Sequence, residues 1–418
     1  MSIVKLLTHI TLLKLKLNKY EESIDWLFKQ FPSYQFKGAS AYKPGLENTL
    51  CLLQAFDNPQ EKLKFIHVAG TNGKGSTCSF LTSLLVEKGE KVGLFTSPHI
   101  YDFRERIRVN GIEIDRAFVI DFCEKIKQIQ LNFSPSFFEI TLAMALCYFH
   151  QKKCSIVVLE TGLGGRLDAT NVVQPLISVI TNIGIDHTQF LGETLEAIAI
   201  EKAGIIKKEI PVVIGERQIE TTTVFEKKAQ EQNASITFAQ EFHLPIELNL
   251  DGYQSKKLKT ALVTLSLLFY SIDEKLVEKA LKNLRRNSGL FGRMEIVQKN
   301  PTLILDVSHN KEGIKATLKS LKLDENAKLT ILFGTSQDKA IEEIITLFPK
   351  NTEIHLCTFK NERSQTFERL QEIKERNPNI RAVYQEVNQA IQQLLPALNK
   401  QDTLLVIGSF FLISDVEA

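Results

Sequence analysis

A glycine-rich segment near residue 70 carries a lysine and a serine at a spacing suited to phosphate binding. It lies between an apolar run that predicts a buried strand and a run that predicts a helix. Glycines let the backbone curl so that its N–H groups point at phosphate oxygens, and a lysine adds positive charge near the β- and γ-phosphates. The alternative is a turn that merely connects strand to helix, but the strand–loop–helix context favours phosphate binding. The residues concerned are Thr71, Asn72, Gly73, Lys74, Gly75 and Ser76, with Gly75 as a departure from the usual lysine–serine spacing.

Three further polar residues follow predicted strands. Glu160 ends the apolar run SIVVLE, where a carboxylate is costly unless it is paired, solvated or bound to a cation such as Mg²⁺. His187 ends the segment TNIGIDH, although a lone histidine is more often structural and imidazole is not a preferred magnesium ligand. Ser97 follows the next strand after the glycine-rich loop, in TSPH, where a proline stiffens the turn. The three are candidates for a metal site.

The C-terminal third offers two groups that could clamp a nucleotide. Arg293 lies in the segment GRME at a presumed domain boundary, and Asp306 ends a predicted strand at the start of DVSHN. Each of them, taken alone, is more simply a surface charge.

Strands and helices alternate along the chain, which predicts an α/β fold with parallel sheets. We expect an N-terminal P-loop-type domain with a mostly parallel sheet over residues 1–288. A smaller C-terminal Rossmann-like α/β domain is expected over 289–418. Clefts between domains are common ligand sites, so a nucleotide is expected between the two.

Composition excludes several classes of protein. The chain has 418 residues, 44% apolar and 24% charged, with a formal net charge of +2, so a whole-surface nucleic-acid footprint is not expected. The six cysteines show no CxxC spacing, which indicates neither a zinc site nor a redox motif. A signal peptide is the alternative reading of the apolar, basic N-terminus, but Lys14 and Lys16 interrupt it. No apolar run reaches the roughly 20 residues of a membrane span. We expect a cytoplasmic monomer that binds neither nucleic acid nor membrane.

The motifs, taken together and in order, resemble those of the folylpolyglutamate synthase / dihydrofolate synthase family, within the Mur-ligase superfamily. The resemblance runs from about Tyr20 to the C-terminus. The segments that carry it are GTNGKGST (70–77), TSPH (96–99), RERIRVNG (104–111), SFFE (136–139), ETGLGGRLDATN (160–171), TNIGIDH (181–187), EKAGIIK (201–207), GRME (292–295), DVSHN (306–310), DK (338–339) and GS (408–409).

The resemblance implies a role for each matching residue. ATP would bind Thr71–Ser76, with help from Arg293 and Asp306, and Mg²⁺ would be held by Ser97, Glu160 and His187. Lys202 matches a family lysine that can be carbamylated, and the catalytic set would be Lys74, Lys202 and His187. The pterin end of the substrate would contact Ser136, Phe137, Phe138, Glu139 and Asp168, together with Lys43 and Pro44.

The implied activity is ATP-dependent addition of L-glutamate to a folate-type carboxylate, reduced folate or dihydropteroate, through an acyl phosphate. One rival is a cell-wall Mur ligase that uses a UDP-sugar peptide, which SFFE and the short region before the phosphate loop disfavour. Another is a non-catalytic nucleotide-binding regulator, which would not need Glu160, His187 and Lys202. Two departures from the family pattern are Lys257, in place of an asparagine that contacts nucleotide, and Leu290–Phe291, in place of Trp-Pro.

Overall fold

A computed structural model describes residues 3–31, 45–244, 246, 253–323 and 327–417, with the side chains of 3–16 and 253 left aside. The chain divides into two compact units. The first comprises Met1–Glu247 with Leu258–Gly289, and the second comprises Leu248–Lys257 with Leu290–Ala418.

The first unit is built on an eight-stranded sheet of order β4-β3-β2-β5-β1-β6-β7-β8. Strands β2, β5, β1, β6, β7 and β8 are parallel, whereas β3 and β4 pair antiparallel at one edge. Because β1 lies between two parallel neighbours, all five of its side chains are buried. The strands are β1 (Phe65–Ala69), β2 (Val92–Phe95), β3 (Ile107–Val109), β4 (Ile112–Glu113), β5 (Ile156–Glu160), β6 (Ile177–Ile180), β7 (Val212–Ile214) and β8 (Ile236–Phe238).

Helices of the first unit cover both faces of this sheet. One core cluster includes Phe65, Phe95 and Phe149, and a second includes Ile180, Ile198 and Phe225. The helices are α1 (Ile3–Gln30), α2 (Glu47–Gln54), α3 (Lys74–Glu87), α4 (Arg116–Gln128), α5 (Phe137–Gln151), α6 (Thr188–Leu191), α7 (Leu195–Ala203), α8 (Ile219–Glu231), α9 (Tyr253–Leu267), through which the division between units passes, α10 (Glu274–Lys282) and α11 (Leu284–Ser288).

The second unit has a six-stranded sheet of order β13-β12-β11-β14-β10-β9, parallel except for the edge strand β9. Its core includes Ile331, Phe333 and Leu405. The strands are β9 (Glu295–Gln298), β10 (Thr302–Asp306), β11 (Leu329–Gly334), β12 (Glu353–Cys357), β13 (Ile380–Tyr384) and β14 (Thr403–Gly408). The helices are α12 (Lys311–Ser320), α13 (Ile341–Ile345), α14 (Phe367–Arg376), α15 (Val387–Leu394) and α16 (Phe410–Ser414).

The predicted fold class is confirmed, since both units are α/β with mostly parallel sheets. The antiparallel strands lie at the sheet edges, in segments with interspersed charges that the apolar pattern does not mark. Within the described part of the chain, no helix is long and apolar enough to cross a membrane.

Candidate active site

The glycine-rich loop leaves the carboxyl end of β1 and turns directly into α3. Gly70 has φ +148°, and a Cβ there would lie 1.8 Å from the Thr181 hydroxyl oxygen, so only glycine fits. Gly73 has φ +81° and immediately precedes the first residue of α3. The segment after β6 supports the loop, because the Thr181 hydroxyl donates to the Asn72 carbonyl and the Asn182 side-chain oxygen accepts from the Asn72 N–H.

Two buried hydroxyls stand at the start of α3 without a hydrogen-bond partner among the described residues. The hydroxyl oxygens of Ser76 and Thr77 are both buried, and each lies in the first turn of the helix. Buried hydroxyls are normally paired, so an unpaired one beside a glycine-rich loop fits a site that receives a ligand oxygen or a cation. The Lys74 ammonium folds back over the loop and donates to the carbonyls of Gly70 (3.1 Å) and Thr71 (3.3 Å).

Glu160 brings a carboxylate to the same end of the sheet. Its Oε2 accepts from the Ser97 backbone N–H at 3.2 Å and would lie 3.6 Å from a Cβ placed on Gly75. The segments that carry Ser97 and Glu160 therefore meet the glycine-rich loop, and their assignment as metal ligands stays a prediction. The described residues contain no group of three or more His, Cys, Asp or Glu side chains that could hold a metal ion. One carboxylate with a hydroxyl still suits Mg²⁺, which keeps several waters and takes further oxygens from phosphates.

His187 lies at the start of α6 with φ +51°, and its backbone N–H donates to the Asp186 side chain. Its segment is held against the phosphate loop, because the Thr71 hydroxyl accepts from the Gly184 N–H at 3.0 Å. Its assignment as a metal ligand stays a prediction.

Lys202 lies on α7 and is buried against the phosphate loop. Its amine donates to the Gly70 carbonyl at 3.0 Å. Burial, together with the nearby Lys74 ammonium, lowers its pKa from 10.5 to about 7, although Asp186 and Asp168 act in the opposite direction. The lysine is therefore poised to be neutral near physiological pH.

The SFFE segment opens α5, where two of its residues cap the helix. The Ser136 hydroxyl accepts from the Glu139 N–H (3.2 Å), and the Glu139 carboxylate accepts from the Ser136 N–H (2.6 Å) and the Thr49 hydroxyl (3.2 Å). This reciprocal capping box satisfies helix donors that would otherwise be unpaired. The aromatic pair has different surroundings: Phe137 is buried and stacks on Phe28, whereas Phe138 is half-buried.

Asp168 is buried and holds its own turn. Its carboxylate accepts from the Leu163 N–H (2.7 Å), the Thr170 N–H (3.0 Å) and the Thr170 hydroxyl (2.5 Å). Burial raises the pKa of this carboxyl, and the three donors oppose that rise. The carboxylate is thus occupied by its own loop, so contact with a substrate through Asp168 remains a prediction.

Within the second unit, Asp306 and Arg293 belong to one local structure. The Asp306 carboxylate accepts from the N–H groups of Met294 (2.8 Å) and Ser308 (2.9 Å), which ties the segment after Gly292 to the end of β10. The Arg293 guanidinium lies 5.3 Å from the ring centre of Phe410. The structure brings the two predicted nucleotide contacts together through the backbone.

Two of the predicted substrate residues, Lys43 and Pro44, lie outside the described residues. Lys257, the departure from the family asparagine, is buried, and its amine donates to the Gln254 side chain at 3.5 Å.

Several residues beside the site carry no role in the sequence-based prediction. His67 is buried in the middle of β1, with its Nε2 2.8 Å from the Thr170 hydroxyl. The Arg106 guanidinium is buried too; its Nε donates to His99 Nδ1 at 2.8 Å, and burial lowers its pKa to about 10. The available signal for His67 was a polar residue inside the apolar run FIHVA, where burial of imidazole is costly.

Comparison with known proteins places both parts of the chain in one family of ligases. The family model "Mur ligase middle domain" matches residues 68–278, and "Mur ligase, glutamate ligase domain" matches 292–410. The dihydrofolate synthase/folylpolyglutamate synthase of Bacillus subtilis is 34% identical over 409 residues, covering 90% of this chain and 94% of that protein. The Escherichia coli protein of that name is 32% identical over 366 residues, covering 84% of this chain and 85% of its own length.

Solved structures of folylpolyglutamate synthases share the fold of this chain. A Yersinia pestis bifunctional folylpolyglutamate synthase/dihydrofolate synthase complexed with AMPPNP and a Mn ion aligns with a TM-score of 0.80 at 29% identity, over 90% of this chain and 93% of that one. A Thermotoga maritima folylpolyglutamate synthase aligns with a TM-score of 0.78 at 32% identity, over 94% and 95%.

The fold and the two family-model matches thus define an enzyme of the Mur-ligase type. More narrowly, the chain belongs to the dihydrofolate synthase/folylpolyglutamate synthase family.

Proposed function

We propose that this ligase adds L-glutamate to the carboxylate of a reduced folate or dihydropteroate, with ATP and Mg²⁺, through an acyl phosphate. The observation that carries the proposal is the meeting of three groups at one loop. Three groups lie at the turn from β1 into α3: the Ser76 hydroxyl, which has no hydrogen-bond partner in the described part of the chain, the Glu160 carboxylate near Gly75, and the buried amine of Lys202.

The residues present fit a nucleotide triphosphate and its cation. The loop offers the backbone of Thr71–Ser76, the N-terminus of α3 and the ammonium of Lys74, all of which favour anionic oxygens. Magnesium bound by Ser97, Glu160 and His187 would neutralise charge on the β- and γ-phosphates.

The chemistry needs ATP because a carboxylate oxygen is a poor leaving group. An oxygen of the acceptor carboxylate attacks the γ-phosphorus, the bond to the β–γ bridging oxygen breaks, and ADP leaves. The glutamate amine then attacks the acyl carbon, the carbon–oxygen bond to phosphate breaks, and the nitrogen loses a proton. Lys74 would stabilise the charge on the transferring phosphoryl group, so most of the catalysis is positioning and electrostatics.

We further propose a division of labour between the two parts of the chain. Residues 1–288 would bind ATP and the acceptor, and 289–418 would form the glutamate-ligase domain. The match of 292–410 to the glutamate ligase domain supports this assignment. Arg293 and Asp306 would contribute to nucleotide binding from the second part.

The test is ADP release by the purified chain in a substrate panel. Turnover should require glutamate together with dihydropteroate or a reduced folate. Support of turnover by a UDP-sugar peptide and not by pteroates would instead favour the cell-wall ligase. ATP turnover that needs neither co-substrate would favour a nucleotide switch.

The variant Lys74→Ala tests the role of the glycine-rich loop in the same assay. Its kcat should fall by about 10²–10³-fold or more, because one positioned charge on the transferring phosphoryl group is lost. Lys88→Ala is the control, since Lys88 follows the other end of α3 and donates to the Ser271 hydroxyl. Near-normal turnover by a folded Lys74→Ala protein would reject the phosphate-loop assignment.

A further inference from the structure

A histidine occupies a buried position in β1, where an aliphatic side chain would pack at a lower cost in free energy. His67 is the central residue of β1, pairs in register with Leu159 on β5 and Ser178 on β6, and is fully buried. Its neighbours in the strand, Ile66 and Val68, are apolar and also fully buried. A buried imidazole needs compensating hydrogen bonds, so its partners identify what it does.

The imidazole joins a hydrogen-bonded chain that ends at the turn after β5. His67 Nε2 lies 2.8 Å from the Thr170 hydroxyl oxygen, and the Thr170 hydroxyl donates to Asp168 Oδ1 at 2.5 Å. The other oxygen of Asp168 accepts from the Leu163 N–H at 2.7 Å. The chain therefore connects the strand that leads into the phosphate loop with the turn that follows Glu160.

Proton counting selects the tautomer of His67. The Thr170 hydroxyl has one proton, which goes to the Asp168 carboxylate, so towards His67 its oxygen can only accept. Nε2 must then carry the ring proton. Nδ1 is buried without a partner among the described residues, which is tolerable for an unprotonated nitrogen and more costly for an N–H.

The charge state agrees with this geometry. Burial lowers the pKa of His67 to about 3, with a smaller contribution from the positive charge of Lys207. The ring is thus neutral across the physiological range. Its role is to orient the Thr170 hydroxyl, not to gain or lose a proton.

We propose that His67 is a positioning residue of the acceptor site: its Nε2–H occupies the lone pair of the Thr170 hydroxyl, directs the hydroxyl proton to Asp168, and so holds the 161–168 turn. This inference rests on the proposed function. It concerns the acceptor because the turn is packed against Phe138, one of the residues that the family resemblance assigns to the pterin end of the substrate. A Cβ on Gly162 would lie 2.7 Å from Cζ of Phe138, so the turn and that half-buried ring are in close contact.

The kinetic test compares two substitutions at the same position. His67→Leu removes the donor, and the KM for the pteroate or folate acceptor should rise about tenfold, as expected for the loss of one buried hydrogen bond that positions a contact. His67→Gln places an amide N–H near the former Nε2 and should recover most of that loss. The KM and Kd for ATP should change by less than about twofold in both, because the phosphate loop keeps its own contacts.

A second pair of variants tests the Thr170 hydroxyl. Thr170→Val should raise the acceptor KM as His67→Leu does, Thr170→Ser should restore it, and the two losses should not add in the double variant, because they break one chain. Thr264→Val is the matched control: Thr264 is equally buried, but its hydroxyl donates to the Thr260 carbonyl within α9.

Nitrogen NMR of the side chain gives a readout that is independent of activity. The His67 signals, assigned by their absence from His67→Gln, should show the Nε2–H tautomer and no titration between pH 5 and 8. An Nδ1–H tautomer would overturn the inference, and so would an acceptor KM unchanged by His67→Leu in an active protein. A wild-type chain that fails to ligate glutamate to any pteroate would reject the proposed function instead, while the NMR result would still decide the tautomer.

Discussion

The amine of Lys202 is the most perturbed cation near the phosphate loop. It donates to the Gly70 carbonyl, and burial together with the charge of Lys74 lowers its pKa to about 7. A neutral amine can attack CO₂, forming a nitrogen–carbon bond and releasing one proton, which leaves an anionic carbamate. The carbamate would reverse the unfavourable charge contact with Lys74. Burial thus supplies the neutral amine that carbamylation of Lys202 requires.

We expect Lys202 to be carbamylated in the active enzyme. Activity should rise with added bicarbonate at pH 8, and ¹³C-bicarbonate should give a carbamate signal that Lys202→Met lacks. Short carboxylic acids should partly restore the activity of Lys202→Ala by placing a carboxylate in the space left. An unmodified amine under saturating bicarbonate, with no such rescue, would contradict the expectation.

The same lysine predicts a pH dependence of stability in CO₂-free buffer. The unfolded chain holds the Lys202 proton up to about pH 10.4, whereas the folded chain releases it near 7. Between these values the unfolded state binds more protons, so this group makes the free energy of unfolding rise with pH, by on the order of 5 kcal/mol over the window. Lys202→Met should remove that rise in denaturant titrations, and Lys208→Met, at an exposed site, should retain it.

At the start of α5, the SFFE motif serves the conformation of the helix itself. Its capping box uses both the Ser136 hydroxyl and the Glu139 carboxylate. Glu139→Ala should therefore lower the free energy of unfolding by about 1–3 kcal/mol, because the buried Ser136 N–H loses its acceptor. Glu139→Gln keeps an oxygen for that N–H and should lose less than about 1 kcal/mol. Urea unfolding measures both.

Kinetics of the same two variants separate capping from substrate binding. If Glu139 serves the helix alone, Glu139→Gln should leave the acceptor KM within about twofold of wild type. A large rise in that KM at unchanged stability would instead support the substrate contact that the family resemblance implies.

The elements also show what apolar patterning can predict. Central strands such as β5 and β14 are buried on both faces, so their sequences are continuous apolar runs that are easily recognised. Strands β3 and β4 are only three and two residues long and contain charged residues, and β9 is largely exposed. Their apolar patterns are therefore too weak to identify them as strands from the sequence.

The candidate site was predictable where backbone chemistry dominates. Glycines at 70 and 73 and the lysine between strand and helix point to a phosphate loop from sequence alone. The hydrogen-bond partners of the buried polar side chains could not be predicted from the sequence. The Asp168 carboxylate holds its own turn, and His67 contacts the Thr170 hydroxyl of that turn from strand β1, 103 positions earlier in the chain. Such contacts depend on β1 and β5 being neighbours in the sheet.

At the scale of the whole molecule, each unit has its own hydrophobic core and contains a buried histidine whose pKa is lowered. His67 lies in the first unit. His355, on β12 in the second, is buried with neither ring nitrogen hydrogen-bonded among the described residues, and burial lowers its pKa. Both histidines bind a proton less readily in the folded chain than in the unfolded chain. The unfolded state therefore binds more protons below about pH 6.5, and stability falls as pH falls, by about 1.4 kcal/mol per pH unit for His67 down to about pH 3.

Acid unfolding of the two units can be followed separately, because the single tryptophan, Trp26, packs against Phe31 in the first unit. Separate cores favour separate transitions. His67→Gln should move the Trp26 fluorescence transition to lower pH, since glutamine stays neutral. His355→Leu should leave that transition in place and shift only the remaining part of the circular-dichroism change, with an added gain from removing two unpaired buried nitrogens. If either substitution moved both signals together, the two units would unfold as one and the assignment of each histidine to its own transition would fail.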